Sequence, residues 1–123
     1  MTRERRLRGA AGEAAARRHL EEAGYRIVAA NWRCRLGEID LVAERGGTLV
    51  IVEVRSRAAR SLGTFGAPLE SVTLRKRATL RRCAEWYVAQ LPAPPERVRF
   101  DCVGVVLDDA NAPVHIEHIE NAF

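Results

Sequence analysis

Gly37-Glu38-Ile39-Asp40-Leu41-Val42-Ala43-Glu44-Arg45-Gly46-Gly47-Thr48-Leu49-Val50-Ile51-Val52-Glu53-Val54-Arg55 is the stretch on which the fold turns. Two β-rich runs flank adjacent glycines, and both central residues of a type I′ turn need φ > 0, so the segment predicts a hairpin with strands at about 36–44 and 48–55. With Arg45 facing Thr48, counting outward sets Asp40 opposite Glu53 and Glu38 opposite Arg55. Side chains alternate between the two faces of a strand. One face therefore carries Glu38, Asp40, Glu53 and Arg55 together with Val42 and Ile51. The other carries Ile39, Leu41, Val50, Val52 and Val54, and reads as core.

Glu38 and Arg55 make an expected cross-strand ion pair. Asp40 against Glu53 is a like-charge pair, which costs about 0.2–1 kcal/mol on a sheet and more where water is excluded, unless a cation lies between the two. Alternating charges on a half-covered strand can also simply be solvated. A third carboxylate favours a site. Residues 9–23 read as a helix closed by Gly24, and Glu13 shares its apolar stripe with Ala16, Leu20 and Ala23. A Glu on the buried side of a helix must be paired, protonated or metal-bound, and a salt bridge to Arg17 is the structural alternative.

At 123 residues the chain is long enough for one domain, taken as residues 1–123. No apolar run is long enough to span a membrane, and the basic Met1–Arg8 segment leads into an Ala-rich amphipathic helix rather than a signal core, so a cytoplasmic protein is expected. Cys34, Cys83 and Cys102 show no Cys-x-x-Cys spacing and read as reduced thiols. His115 and His118 lie three apart in a strand, on opposite faces, a poor metal pair. The net charge is +4, but the first 100 residues hold 20 basic and 11 acidic groups, a net +9. That bias suits a polyanion, with DNA the expected partner.

Around the hairpin the pattern predicts a strand over Tyr25–Arg33, a second helix over Val72–Gln90 capped by Ser71 or Thr73, and strands at about 97–107 and 114–119. The order is αβββαββ, with the helical crossover making the fourth strand parallel to the third in a mixed sheet flanked by helices. Residues 56–70 lack periodicity and read as a mobile basic loop carrying Arg57 and Arg60. The second helix clusters Arg75, Lys76, Arg77, Arg81 and Arg82 with no acid among them, a phosphate-facing surface or a solvated face. Trp86 and Tyr87 read as packing residues.

The ordered set Gly12-Glu13-Ala14-Ala15, Gly24-Tyr25, Asn31-Trp32-Arg33, Gly37-Glu38-Ile39-Asp40, Val52-Glu53-Val54-Arg55-Ser56-Arg57, the Lys76 helix, Arg99-Phe100-Asp101 and Asn121-Ala122-Phe123 covers nearly the whole chain. It resembles the YraN family of small bacterial endonuclease-like proteins in the PD-(D/E)XK nuclease superfamily, which is similar to archaeal Holliday-junction resolvases. The resemblance implies an α/β, restriction-endonuclease-like core and a metal-dependent DNA endonuclease that selects branched or junction DNA. It further implies Glu13, Asp40, Glu53 and Arg55 as catalytic residues, and Mg²⁺ or Mn²⁺ held by Asp40, Glu53, the Val54 backbone carbonyl and Glu13. Arg57, Arg60, Arg75, Lys76, Arg77 and Arg81 are the expected DNA contacts, and a homodimer follows by analogy with resolvases.

The family pattern usually places Lys where this chain has Arg55. Arg holds phosphate well but stays protonated and cannot act as a base. Lys76, the only Lys, is expected either to reach the metal site in its place or to touch only the DNA backbone. The alternative is a non-catalytic DNA-binding protein retaining a nuclease fold.

Overall fold

The computed structural model describes residues 2–61 and 68–123. Its elements are α1 (Arg3–Glu22), β1 (Arg26–Cys34), β2 (Gly37–Arg45), β3 (Thr48–Ala58), α2 (Leu74–Ala89), β4 (Arg97–Leu107) and β5 (Pro113–Ile119). The αβββαββ order is the one the periodicity predicts. The sheet runs β1-β2-β3-β4-β5 and is antiparallel except for the β3–β4 pair, giving the mixed α/β arrangement of a restriction-endonuclease-like core.

Helix α1 starts well before its Ala-rich segment because Thr2 caps it, accepting the Arg5 N–H at 3.2 Å. The turn between β2 and β3 forms as expected: Gly46 and Gly47 adopt φ of 57° and 81°, and Arg45 pairs with Thr48.

Both faces of the sheet are covered. Ala15, Ala16 and Leu20 of α1 pack on Leu41, Ala43, Val50, Val52, Val103 and Val105, while Leu80, Cys83, Ala84 and Tyr87 of α2 pack on Ile39, Val42, Leu49, Ile51 and Phe100. The face expected to be charged is therefore core for half its length. Val42 and Ile51 lie fully buried under α2, and polar residues begin only where the helix leaves the sheet. A central strand covered on both sides reads as a near-continuous apolar run, which is what Leu49–Val54 is.

Two expectations are corrected here. Ile39 packs on the α2 side, not with Leu41. The reason is a paired irregularity at Asn31 and Asp40: Asn31 sits in the left-handed region at φ 51°, and the flanking pairs Ala29↔Val42 and Trp32↔Ile39 then both face α2 although they lie an odd number of residues apart. Asn is among the few non-glycine residues that tolerate this conformation. Secondly, residues 56–58 are strand rather than loop, because β3 pairs with β4 from Thr48↔Arg97 to Ala58↔Leu107. Short 3-10 turns follow at Ala59–Ser61 and Pro68–Ser71, and the middle of the expected basic loop, residues 62–67, lies outside the described residues.

Candidate functional site

The β2–β3 ladder ends at Leu41↔Val52, one step short of Asp40 and Glu53. There the strands part, and the Asp40 carboxylate bridges the gap by accepting the Val54 N–H through Oδ2 at 2.8 Å. Glu53 points to the α2 side and is only 2% exposed. Its Oε2 lies 3.4 Å from Arg55 Nη1 and 3.9 Å from Lys76 Nζ. Its Oε1 is buried and finds no hydrogen-bond partner among the described residues. Leaving one such atom unsatisfied costs about 1–3 kcal/mol.

Burial first, and then the neighbouring Asp40 charge, push the Glu53 carboxyl up to about 8, against the opposing pull of Lys76 and Arg55. Near neutral pH this side chain therefore tends to hold a proton or needs a cation. Glu13 is also raised, by burial and then by Asp40, with a hydrogen bond to Asn31 working the other way.

A second buried acid makes the contrast. Asp101, fully buried on the α1 face, accepts Arg99 Nε at 2.9 Å and Arg99 Nη2 at 2.8 Å, meets His118 Nε2 at 2.7 Å, and accepts the Asn121 N–H at 2.9 Å. Burial alone would raise it, but the bonds from His118, Arg99 and the Asn121 amide together hold it below the usual carboxylate range. Asp101 is a satisfied structural acid. Glu53 is not.

Asp40, Glu53, Val54, Arg55 and Lys76 line one open cleft of about 710 Å³, joined by Arg57, Arg60, Ser71 and, from α1, Arg5 and Arg8. Lys76 is set by the start of α2: Thr73 caps the helix and accepts the Lys76 N–H at 3.1 Å. Arg55 is held by Ser71, whose Oγ accepts its Nε at 2.8 Å and itself donates to the Pro68 carbonyl at 2.7 Å.

Several expected partnerships differ. Glu38 pairs with Arg33 on the neighbouring strand at 3.3 Å rather than with Arg55, which leaves Arg55 to Glu53 and Ser71. Arg17 pairs with Glu21, not with Glu13. Among the described residues no three His, Cys, Asp or Glu side chains converge closely enough to hold a metal ion, so Glu13 does not complete the expected cluster. Asp40 and Glu53 stay paired, with Glu13 near enough for the Asp40 charge to raise it. Of the expected DNA contacts, Arg57, Arg60 and Lys76 line the cleft, and Arg60 also bridges Glu4 and Asp109. Arg75 is exposed at the start of α2. Arg77 turns inward to the Val72 and Leu69 carbonyls, and Arg81 lies over the Phe100 ring, so both are engaged in the structure. Tyr87 is buried edge-on to Trp32, whereas Trp86 is exposed. The Cys34 and Cys83 thiols touch at 3.6 Å.

The model of the uncharacterised protein family UPF0102 matches residues 12–105. The chain belongs to the UPF0102 family. A UPF0102 protein of Moorella thermoacetica is 47% identical over 123 residues, all of both chains. Another from Nocardia farcinica is 46% identical over 94% of this chain and 87% of its own, and one from Pelotomaculum thermopropionicum 43% identical over 97% of each. The stretch matched by the UPF0102 model contains Glu13, Asp40, Glu53, Arg55 and Lys76. Arg5 and Arg8, which precede it, were missed in the sequence. Their signal was the helical spacing of Arg5, Arg8 and Gly12, which continues one face of α1 toward the cleft.

Proposed function

We propose that this protein is a divalent-metal-dependent DNA endonuclease of the PD-(D/E)XK type, similar to Holliday-junction resolvases and selective for branched or junction DNA. The observation that carries this reading is Glu53: a buried carboxylate with an unsatisfied oxygen, beside Asp40, at the floor of a cleft rimmed by Arg and Lys. A structural acid would be satisfied, as Asp101 is.

The donor set fits a hard cation. Mg²⁺ is commonly held by one or two carboxylates, with water and substrate phosphate completing its shell, so Asp40 and Glu53, with the Val54 carbonyl, suffice without Glu13. When bound, such an ion supplies charge stabilisation at the scissile phosphate and a more acidic water. The chain's own residues do the rest. Arg55, fixed by Ser71, is aimed to hold a phosphoryl oxygen. Lys76 brings a compact ammonium with three rotatable donors to 3.9 Å from Glu53, so it serves to orient the attacking water. Arg5, Arg8, Arg57 and Arg60 hold the backbone without reading bases, and Glu13 acts at one remove, through Asn31 and the field at Asp40.

A second reading, a non-catalytic DNA-binding protein, is favoured by the guanidinium at position 55. Incubation with Mg²⁺ or Mn²⁺ and four-way junction, flap, single-stranded and linear duplex DNA separates the two. Cleavage by wild type that Asp40→Asn and Glu53→Gln abolish, with binding retained, supports the enzyme. Binding without cleavage supports the second reading. Lys76→Ala should lower the rate roughly 10²-fold. Symmetric cutting of a junction, together with a dimer by light scattering, would extend the resolvase analogy to assembly.

A further inference from the structure

Beyond the cleft, the α2 face of the sheet carries a small hollow of about 190 Å³. Two cross-strand rows build its floor: Arg55↔Gly104↔Glu117 and Arg57↔Val106↔His115. The Pro68 ring takes the place of a side chain at Gly104, where a Cβ would sit 2.2 Å from the proline Cγ, and forms one wall. Arg55, Arg57 and Pro68 line both this hollow and the metal cleft, so the two share a wall.

We propose that the hollow receives one unpaired nucleobase of the DNA strand held in the cleft. The proposal rests on the nucleic-acid reading above and deepens it. The hollow is smaller than an ordinary ligand pocket, suited to one ring system and not to a base pair. Val106 and the Pro68 ring seated over Gly104 give the hollow an apolar surface against which any base can lie. The charges are ordered: Arg55 and Arg57 stand on the cleft side, where the phosphates run, and Glu117 stands on the far wall. A carboxylate there repels phosphate but accepts the N–H donors that an unpaired base exposes, the exocyclic amino group of adenine, cytosine or guanine or the ring N3–H of thymine. Extruding a base costs least where it is already unpaired, as at a junction, flap or bulge, so the hollow would give the protein its preference for DNA that carries an unpaired base at the branch.

The test uses a duplex with and without a single unpaired 2-aminopurine, in EDTA so that nothing is cut. Anisotropy reports binding and the 2-aminopurine emission reports the base. Wild type should bind the unpaired duplex about tenfold more tightly than the paired one. The emission should rise at saturation, because the base leaves its stack for a hollow lined by no Phe, Tyr or Trp among the described residues. Val106→Met, which fills the floor, and Glu117→Leu, on the exposed strand β5, should each remove the tenfold preference while leaving paired-duplex affinity unchanged. Saturable binding with silent 2-aminopurine, or a preference that survives in Glu117→Leu, overturns the pocket alone. No binding of either duplex overturns the nucleic-acid reading and the pocket with it.

Discussion

Glu53 and Asp101 are two buried carboxylates in one sheet with opposite fates, and the difference is the number of donors around each. Glu53 is raised to about 8, so between its ordinary value and 8 the folded state binds a proton that the unfolded chain has released. Stability from this group is full at acidic pH and falls as pH rises through that window. Glu53→Gln, which keeps the neutral shape, should flatten this slope and raise the melting temperature at pH 8, read by thermal denaturation across pH in EDTA. Asp101 is lowered, so its contribution is present above the unfolded value and fades as pH falls. Asp101→Asn should therefore destabilise at neutral pH, by about 2 kcal/mol or more since a charge-assisted network is broken. Strand alternation made the Asp40–Glu53 pair legible. The partners of Glu38 and Arg55 were not, because the strands part at Asp40 and a lateral neighbour, Arg33, takes Glu38.

At the scale of elements, the site depends on two short features that hold charged side chains in place. Thr73 starts α2 and thereby sets Lys76, and the Pro68–Ser71 turn sits on Gly104 and holds Arg55. Thr73→Ala should cost about 1 kcal/mol of stability, the usual loss at an N-cap. Gly104→Ala should displace the turn through its clash with Pro68, lowering cleavage more than DNA binding, because the phosphate-holding arginines outside the turn are unaffected. The elements themselves were readable from periodicity, caps and the Gly46-Gly47 turn, and β4 falls at Arg97–Leu107, the span the pattern marks. The end of β3 was not readable. Ser56, Arg57 and Ala58 lack strand-like composition, and it is the parallel pairing with β4 that draws them into the sheet.

At the scale of the molecule, the cations divide between structure and partner. Arg77 caps carbonyls and Arg81 covers Phe100, whereas Arg5, Arg8, Arg57 and Arg60 line the cleft with Lys76, with Arg8 and Arg60 also paired to Glu4. A count of positive charges in sequence cannot make that division, because helical phase and the ends of neighbouring elements decide which guanidinium turns inward. Arg5→Ala should reduce the slope of log affinity against log salt by about one, as expected for one lost phosphate contact. Arg77→Ala should leave that slope alone and lower the melting temperature.

The central claim is that a divalent cation takes the place of the proton that Glu53 holds beside Asp40. Calorimetric titration with Mn²⁺ at pH 7, in two buffers of different ionisation enthalpy, measures both binding and proton release. Wild type should bind one ion and release about one proton as it does so, since the ligands must be deprotonated, and Glu53→Gln should do neither. No binding by wild type, or binding to Glu53→Gln with unchanged affinity and proton release, would contradict it.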